Sequence, residues 1–328
     1  MTDSNAELYL RPDRNLALEL VRATEAAAIR AVPFIGRGDK NGADGAAVDA
    51  MRKFLGTVNF TGTVVIGEGE KDRAPMLFNG EEVGNGTGPE CDIAVDPIDG
   101  TSLTAAGRSN AISMIAAADR GAMLDASTVF YMQKLVSSRE AIGVLDIRRS
   151  IGDNIRAIAE AKGKPVGEVR VGVLDRPRHA VLIAEIHAAG AGTRLFLDGD
   201  VAGGIVAASD DGVLDLFFGT GGSPEGVATA CAVKALGGFM QAQLRPGSDE
   251  ERQKGLDAGL LFDHVYEADD LVSGDNTIFV ATGVTDGNLV GGVRRTGRII
   301  HTESIVLRGH SGTIRRISAD HLAEKWLG

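Results

Sequence analysis

The chain has 328 residues, enough for two medium domains or one large one. Hydrophobic residues make up 44% and charged residues 24%, an ordinary globular balance. A net charge of −11 argues against a nucleic-acid surface, which needs a basic stripe, but leaves room for a local basic pocket around phosphate.

Met1 to Glu7 lacks a basic region followed by an apolar stretch, so no secretory signal is expected there. No run reaches the ~18 apolar residues that span a bilayer, and a cytoplasmic location is the expectation. Asp13 to Val32 reads as a helix started by Pro12-Asp13, with Leu16, Leu20, Thr24, Ala27 and Ala31 near one face. Glu25, inside it, is expected to be solvated or capping. Gly36 to Gly45 is a glycine-rich charged loop that opens a second helix, Ala46 to Leu55. By itself Asp44 reads as an N-cap and Lys40 as a solvated loop lysine. Thr63 to Ile66 reads as a buried strand that ends in an acidic cluster, Glu68, Glu70 and Asp72, interleaved with glycine and Lys71.

Asp92 to Thr101 is the densest stretch. Ile93 to Val95 is apolar, and Asp96 and Asp99 follow, separated by Pro97-Ile98. Pro97 pushes Asp96 toward an extended conformation, so the strand should stop there. Gly100 lets the backbone close tightly beyond it. Two carboxylates that close repel unless a cation lies between them, which predicts a divalent metal site with Thr101 beside it.

Asn110 to Ala118 and Val129 to Val136 read as strands, with Tyr131 either in the core or presenting its hydroxyl to a ligand. Gly152 to Lys162 reads as a helix and Lys162 to Pro165 as a linker. Domains are therefore expected at 1–160 (metal-binding, α+β) and 161–328 (α/β, mostly parallel). The second holds β-loop-α units: Val169 to Leu174, the loop Asp175 to His179 and helix Val181 to Ala189; Thr193 to Leu197, the loop Asp198 to Asp200 and helix Val201 to Ala208; Val213 to Phe218, the loop Gly219 to Gly226 and helix Val227 to Leu236. Ligands of such sheets bind beyond the strands' carboxyl ends, where these loops lie. Arg298 to Leu307 and Gly312 to Ile317 read as paired strands. The two cysteines, Cys91 and Cys231, have no metal-ligand spacing and are expected as buried free thiols.

The acids at element ends are Asp44, Glu68, Asp96, Asp99 and Glu225. All-oxygen donors suit magnesium or manganese rather than zinc. Lys40, Arg176, Arg178 and His179 are the basic partners, and Gly221 to Pro224 supplies backbone donors for an anion. This set has the parts of metal-assisted phosphate ester hydrolysis, with Thr101 orienting the attacking water or passing its proton to Glu70 or Asp72. No Walker pattern and no full dinucleotide fingerprint is present.

Asp96-Pro97-Ile98-Asp99-Gly100-Thr101 resembles the signature of the metal-dependent, lithium-sensitive sugar and inositol phosphatases. Gly36 to Arg52, Val65 to Glu70, Ala74 to Leu77, Arg176 to His179, Asp198 to Val201 and Gly221 to Gly226 extend the likeness across Arg14 to Ile317. Over that span the chain closely resembles class II fructose-1,6-bisphosphatase of the bacterial type. The resemblance implies an α/β layered sugar-phosphatase fold, like that of inositol monophosphatase. It implies gluconeogenic hydrolysis of the 1-phosphate of fructose 1,6-bisphosphate, dependence on manganese or magnesium, and a homo-oligomer of two or four subunits. It also implies that Asp44 and Glu68 hold one metal and Asp96, Asp99 and Glu225 the other. Lys40, Asp72 and Thr101 are then catalytic. Asp99, Gly100, Thr101, Tyr131, Arg176, Pro177, Arg178, Asp198, Gly199, Asp200 and Gly222 form the substrate shell. Many relatives carry Glu where this chain has Asp99, so the carboxylate here is one methylene shorter. Sedoheptulose-1,7-bisphosphate or inositol phosphate hydrolysis, or a phosphosugar-binding regulator without chemistry, are the other readings.

Overall fold

A computed structural model describes residues 15–67 and 77–326. In chain order these form α1 (Leu16–Ala31), α2 (Lys40–Leu55), β1 (Thr61–Ile66), β2 (Glu82–Val83), β3 (Glu90–Asp99), α3 (Thr101–Ala106) and β4 (Ile112–Asp119). Next come β5 (Tyr131–Ser137), α4 (Ile151–Ala161), β6 (Arg170–Leu174), α5 (Ala180–Ala188), β7 (Gly192–Phe196), α6 (Asp200–Ala208), β8 (Leu216–Gly222), α7 (Ser223–Leu236), β9 (Phe239–Leu244), α8 (Asp249–Asp257), β10 (Tyr266–Glu267) and α9 (Ala268–Leu271). The chain ends with β11 (Ile278–Gly283), β12 (Arg294–Thr296), β13 (Ile299–Arg308), β14 (Thr313–Leu322) and α10 (Ala323–Trp326). The α/β class is as expected from the sequence.

Two compact units emerge, and they are not consecutive halves: one is 1–123 with 274–328, the other 124–273. Within the first, the strand order is β12-β13-β11-β4-β3-β1-β2, with β14 on β13. Among its described strands, β1 and β3 pair in parallel and the other pairs are antiparallel. The predicted pairing of the last two long strands is present, with Ile299 opposite Leu322 and Arg308 opposite Thr313. The core is aliphatic, as low aromatic content requires: Leu20, Ala27, Met51 and Leu55 of the helices pack with Val64, Ile93, Ile115 and Val280 of the sheet. Each such large side chain contributes about 1.5–3 kcal/mol by leaving water.

Glu25 departs from expectation. It is buried, not solvated, and accepts a hydrogen bond from the Thr302 hydroxyl at 3.3 Å. Burial raises its carboxyl above the ordinary range. Both cysteines are buried thiols outside any disulfide.

The second unit has the order β10-β9-β5-β8-β6-β7. Parallel pairing is confined to β6 with β7 and β8; the pairs that flank β5 are antiparallel. The carboxyl ends of β6, β7 and β8 still share one edge, and the antiparallel β5 begins there, with Tyr131 opposite Gly222. Ile151, Ile155 and Ile158 of α4 and Ile186 of α5 pack with Leu135, Val171, Val173, Leu216 and Phe218. The alternate strand residues turn to α6 and α7: Phe217 lies against Gly203, and Met132 against Gly226. Residues 162–165 are no linker. Lys162 and Lys164 both pair with buried Asp215, at 3.4 and 2.7 Å, inside this unit.

Candidate active site

In the first unit the chemistry-bearing residues collect around α3. The second helix starts six residues earlier than predicted, at Lys40, because Asp39 caps it by accepting the Gly42 N–H at 2.8 Å. Asp44 is therefore not the N-cap. It lies one turn inside α2, on the Lys40 face of the helix. Gly36 N–H and Gly38 N–H donate to the carbonyls of Thr104 and Ala105, which ties the preceding loop to α3. Lys40 Nζ then donates to Ser102 Oγ at 2.8 Å, next to Thr101. Asp44 is half-buried, and burial raises its carboxyl.

β3 runs on through Pro97 to Asp99 rather than stopping at Asp96. The proline is accommodated because the β3–β4 register shifts between Asp96 and Asp99, and a residue in such a bulge needs no ladder hydrogen bond. Asp96 Oδ1 accepts the Ile98 N–H at 3.0 Å, which fixes the bulge, while Asp99 is buried. Gly100 has φ +94°, the left-handed conformation needed for the turn from β3 into α3. Thr101, half-buried, opens α3. Glu68, Glu70 and Asp72 lie outside the described residues.

In the second unit the three loops meet through side chains. Arg176 Nη1 donates to the Leu197 carbonyl at 2.5 Å, and Nη2 lies 3.5 Å from Asp198 Oδ1. Pro177 opens a short 3-10 turn that carries Arg178, and Gly199, at φ +82°, precedes α6. Arg178 Nε and Nη2 both donate to the Thr220 carbonyl, at 3.0 and 2.7 Å, and its guanidinium lies over the Tyr131 ring.

His179 is not the cation that the sequence reading made it. It is buried, and desolvation holds its ring below the ordinary histidine value. Its Nε2 accepts the Thr220 N–H at 2.9 Å, so Nδ1 carries the proton donated to the Leu174 carbonyl at 2.7 Å. A neutral imidazole thus joins the end of β6 to β8. Gly219 leaves room for the ring.

Lys134 was missed. It forms an ion pair with Asp200 in the interior and donates to the Gly222 carbonyl at 2.9 Å. The available signal was its place between Met132 and Val136 at strand spacing, a lysine on a core-facing row. Glu225 sits in the first turn of α7, and its Oε2 is buried with no hydrogen-bond partner among the described residues. Burial first, then the Asp200 charge, raises its carboxyl. A Cβ at Gly222 would collide with that carboxylate, and one at Gly221 with Asp200.

The buried Glu225 carboxylate oxygen without a donor has the chemistry of a ligand for a hard divalent cation, while among the described residues no three His, Cys, Asp or Glu side chains are grouped closely enough to hold a metal ion. Residues 14–321 match the family described as bacterial fructose-1,6-bisphosphatase, glpX-encoded. The chain belongs to this family. It is 46% identical over 322 residues to fructose-1,6-bisphosphatase class 2 of Haemophilus influenzae, covering 94% of this chain and 96% of that one. It is 44% identical over 329 residues to fructose-1,6-bisphosphatase 1 class 2 of Escherichia coli strain K12, covering 95% and 96%. No described helix is long and apolar enough to cross a membrane.

Proposed function

We propose that the chain hydrolyses the 1-phosphate of fructose 1,6-bisphosphate, releasing fructose 6-phosphate and phosphate. The observation that carries the reading is the family match over residues 14–321, which spans Lys40, Asp44, Asp96, Thr101, Arg176, Arg178 and Glu225. Arg176 and Arg178 hold the non-reacting phosphate; their planar forks suit its oxygens. Tyr131, Asp198, Asp200 and Gly222 line the sugar. Lys40, already anchored on Ser102, stabilises charge on the reacting phosphoryl group. Thr101 orients the attacking water, and Glu70 or Asp72 takes its proton.

Asp44, Glu68, Asp96, Asp99 and Glu225 are the proposed oxygen donors for manganese or magnesium. When bound, such cations polarise phosphoryl oxygens and lower the pKa of coordinated water. Family membership also supports a cytoplasmic homo-oligomer, dimer or tetramer, which light scattering on purified protein tests.

The functional test is phosphate release from fructose 1,6-bisphosphate with manganese present, with the product identified. Fructose 6-phosphate supports the reading. Fructose 1-phosphate, or no release, overturns it.

A further inference from the structure

Lys134 stands on the core-facing row of β5, between Met132 and Val136. Its side chain is 3% exposed and that of its partner Asp200 is 8% exposed. Stability alone does not call for a charge here, since a buried ion pair is often replaced by apolar residues of similar volume at no cost.

What the ammonium does is visible in its contacts. It donates to the Gly222 carbonyl at 2.9 Å, while the next N–H, that of Ser223, donates to the Phe130 carbonyl at 3.0 Å. Both polar groups of the Gly222–Ser223 peptide are thereby held, one by Lys134 in the middle of β5 and one by Phe130 just before it. That peptide leads directly into the first turn of α7, and the Glu225 carboxylate folds back into the space that Gly222 leaves by having no Cβ. The same ammonium fixes Asp200 at the start of α6.

We propose that Lys134 is a positioning residue: a buried post that fixes the Gly222 peptide and Asp200 so that the Glu225 carboxylate is held ready for a divalent cation. This rests on the function proposed above, in which Glu225 is an oxygen donor. A bare counter-charge is the competing role, and the two differ in sign. Removing a nearby positive charge makes an acidic site attract a cation more strongly. Removing a post leaves the donor misplaced and weakens binding.

The test titrates the full chain, freed of metal by chelation, with manganese alone. Free manganese is counted by electron paramagnetic resonance, and circular dichroism monitors folding. Lys134→Met is expected to weaken binding at one site by about tenfold, the usual effect of losing a group that orients a ligand. Lys134→Arg keeps the charge but not the point-like reach, and is expected to weaken binding by about as much. Unchanged or tighter binding in folded Lys134→Met, or wild-type affinity in Lys134→Arg, overturns the proposal. If Lys134→Met fails to fold because Asp200 is stranded, Lys134→Arg, which keeps the charge beside Asp200, decides alone: weaker binding supports the proposal and wild-type affinity overturns it. Phosphate release by the wild type is followed in parallel. A wild type that binds manganese yet releases no phosphate from fructose 1,6-bisphosphate sinks the functional reading and leaves the Lys134 result standing.

Discussion

The guanidinium carbon of Arg178 lies 5.0 Å from the centre of the Tyr131 ring. The same arginine is anchored on the Thr220 carbonyl, so stacking and hydrogen bonding hold one planar cation in one orientation. If that cation holds the non-reacting phosphate, Arg178→Ala raises KM more than it lowers kcat. Tyr131→Leu removes the stack, worth about 1 kcal/mol, and is expected to raise KM about fivefold. Steady-state kinetics on both variants check this; a fall confined to kcat would contradict the assignment.

Thr101 is assigned to the attacking water and not to binding. Thr101→Ala is expected to lower kcat about 100-fold, the lower end for loss of a general acid-base contribution. Its KM should stay close to that of the wild type. An unchanged turnover number removes Thr101 from the mechanism.

Metal removal gives a third prediction. Chelation is expected to abolish phosphate release, and manganese or magnesium to restore it. At a concentration 100 times its dissociation constant, a bound ion adds about 2.7 kcal/mol of stability, so manganese should raise the unfolding temperature of the wild type. Glu225→Gln should lose most of that rise. Burial raises the carboxyls of both Asp44 and Glu225, so protons compete with the ion as the pH falls. Manganese titrations over a falling pH series should show binding lost above the ordinary carboxylate values of 3.8 and 4.5, and Glu225→Gln should remove part of that pH dependence; binding that persists down to those ordinary values would contradict the raised carboxyls.

His179 supplies a pH dependence of folding. Its ring in the folded chain sits below the ordinary value of 6.5. The unfolded ring therefore takes up a proton that the folded ring refuses. The stability contribution is complete above pH 6.5 and declines as the pH falls through the window beneath it. Between pH 7.5 and 5.5 the wild type should lose more denaturant resistance than His179→Gln, which cannot charge. Equal losses would show that the ring charges freely in the fold.

Much of this was legible in the sequence because local rules and tertiary structure agree. Alternating and helical apolar rows located most elements to within a few residues, and the acids and arginines stood at strand and helix ends. The departures have identifiable causes. Asp39, not Asp44, caps the second helix, because a glycine-rich run offered several equivalent starts. Pro97 did not end β3, because a register shift absorbs it. Glu25 looked like a surface acid on a helix, but its partner Thr302 is 277 positions away. His179 beside Arg178 read as a cation, yet burial and two backbone partners make it a neutral splint. Lys134 carried a signal in its strand position, but its partners are 66 and 88 positions distant, beyond the reach of any local pattern.

The central claim is that these side chains act on a sugar bisphosphate at its 1-phosphate. The most direct measurement is kcat/KM for phosphate release, with manganese and with magnesium, from fructose 1,6-bisphosphate, sedoheptulose 1,7-bisphosphate and inositol 1-phosphate. The account predicts turnover of fructose 1,6-bisphosphate well above that of inositol 1-phosphate, which lacks a second phosphate for Arg176 and Arg178. Faster turnover of inositol 1-phosphate, or no release from fructose 1,6-bisphosphate with either metal, would contradict it.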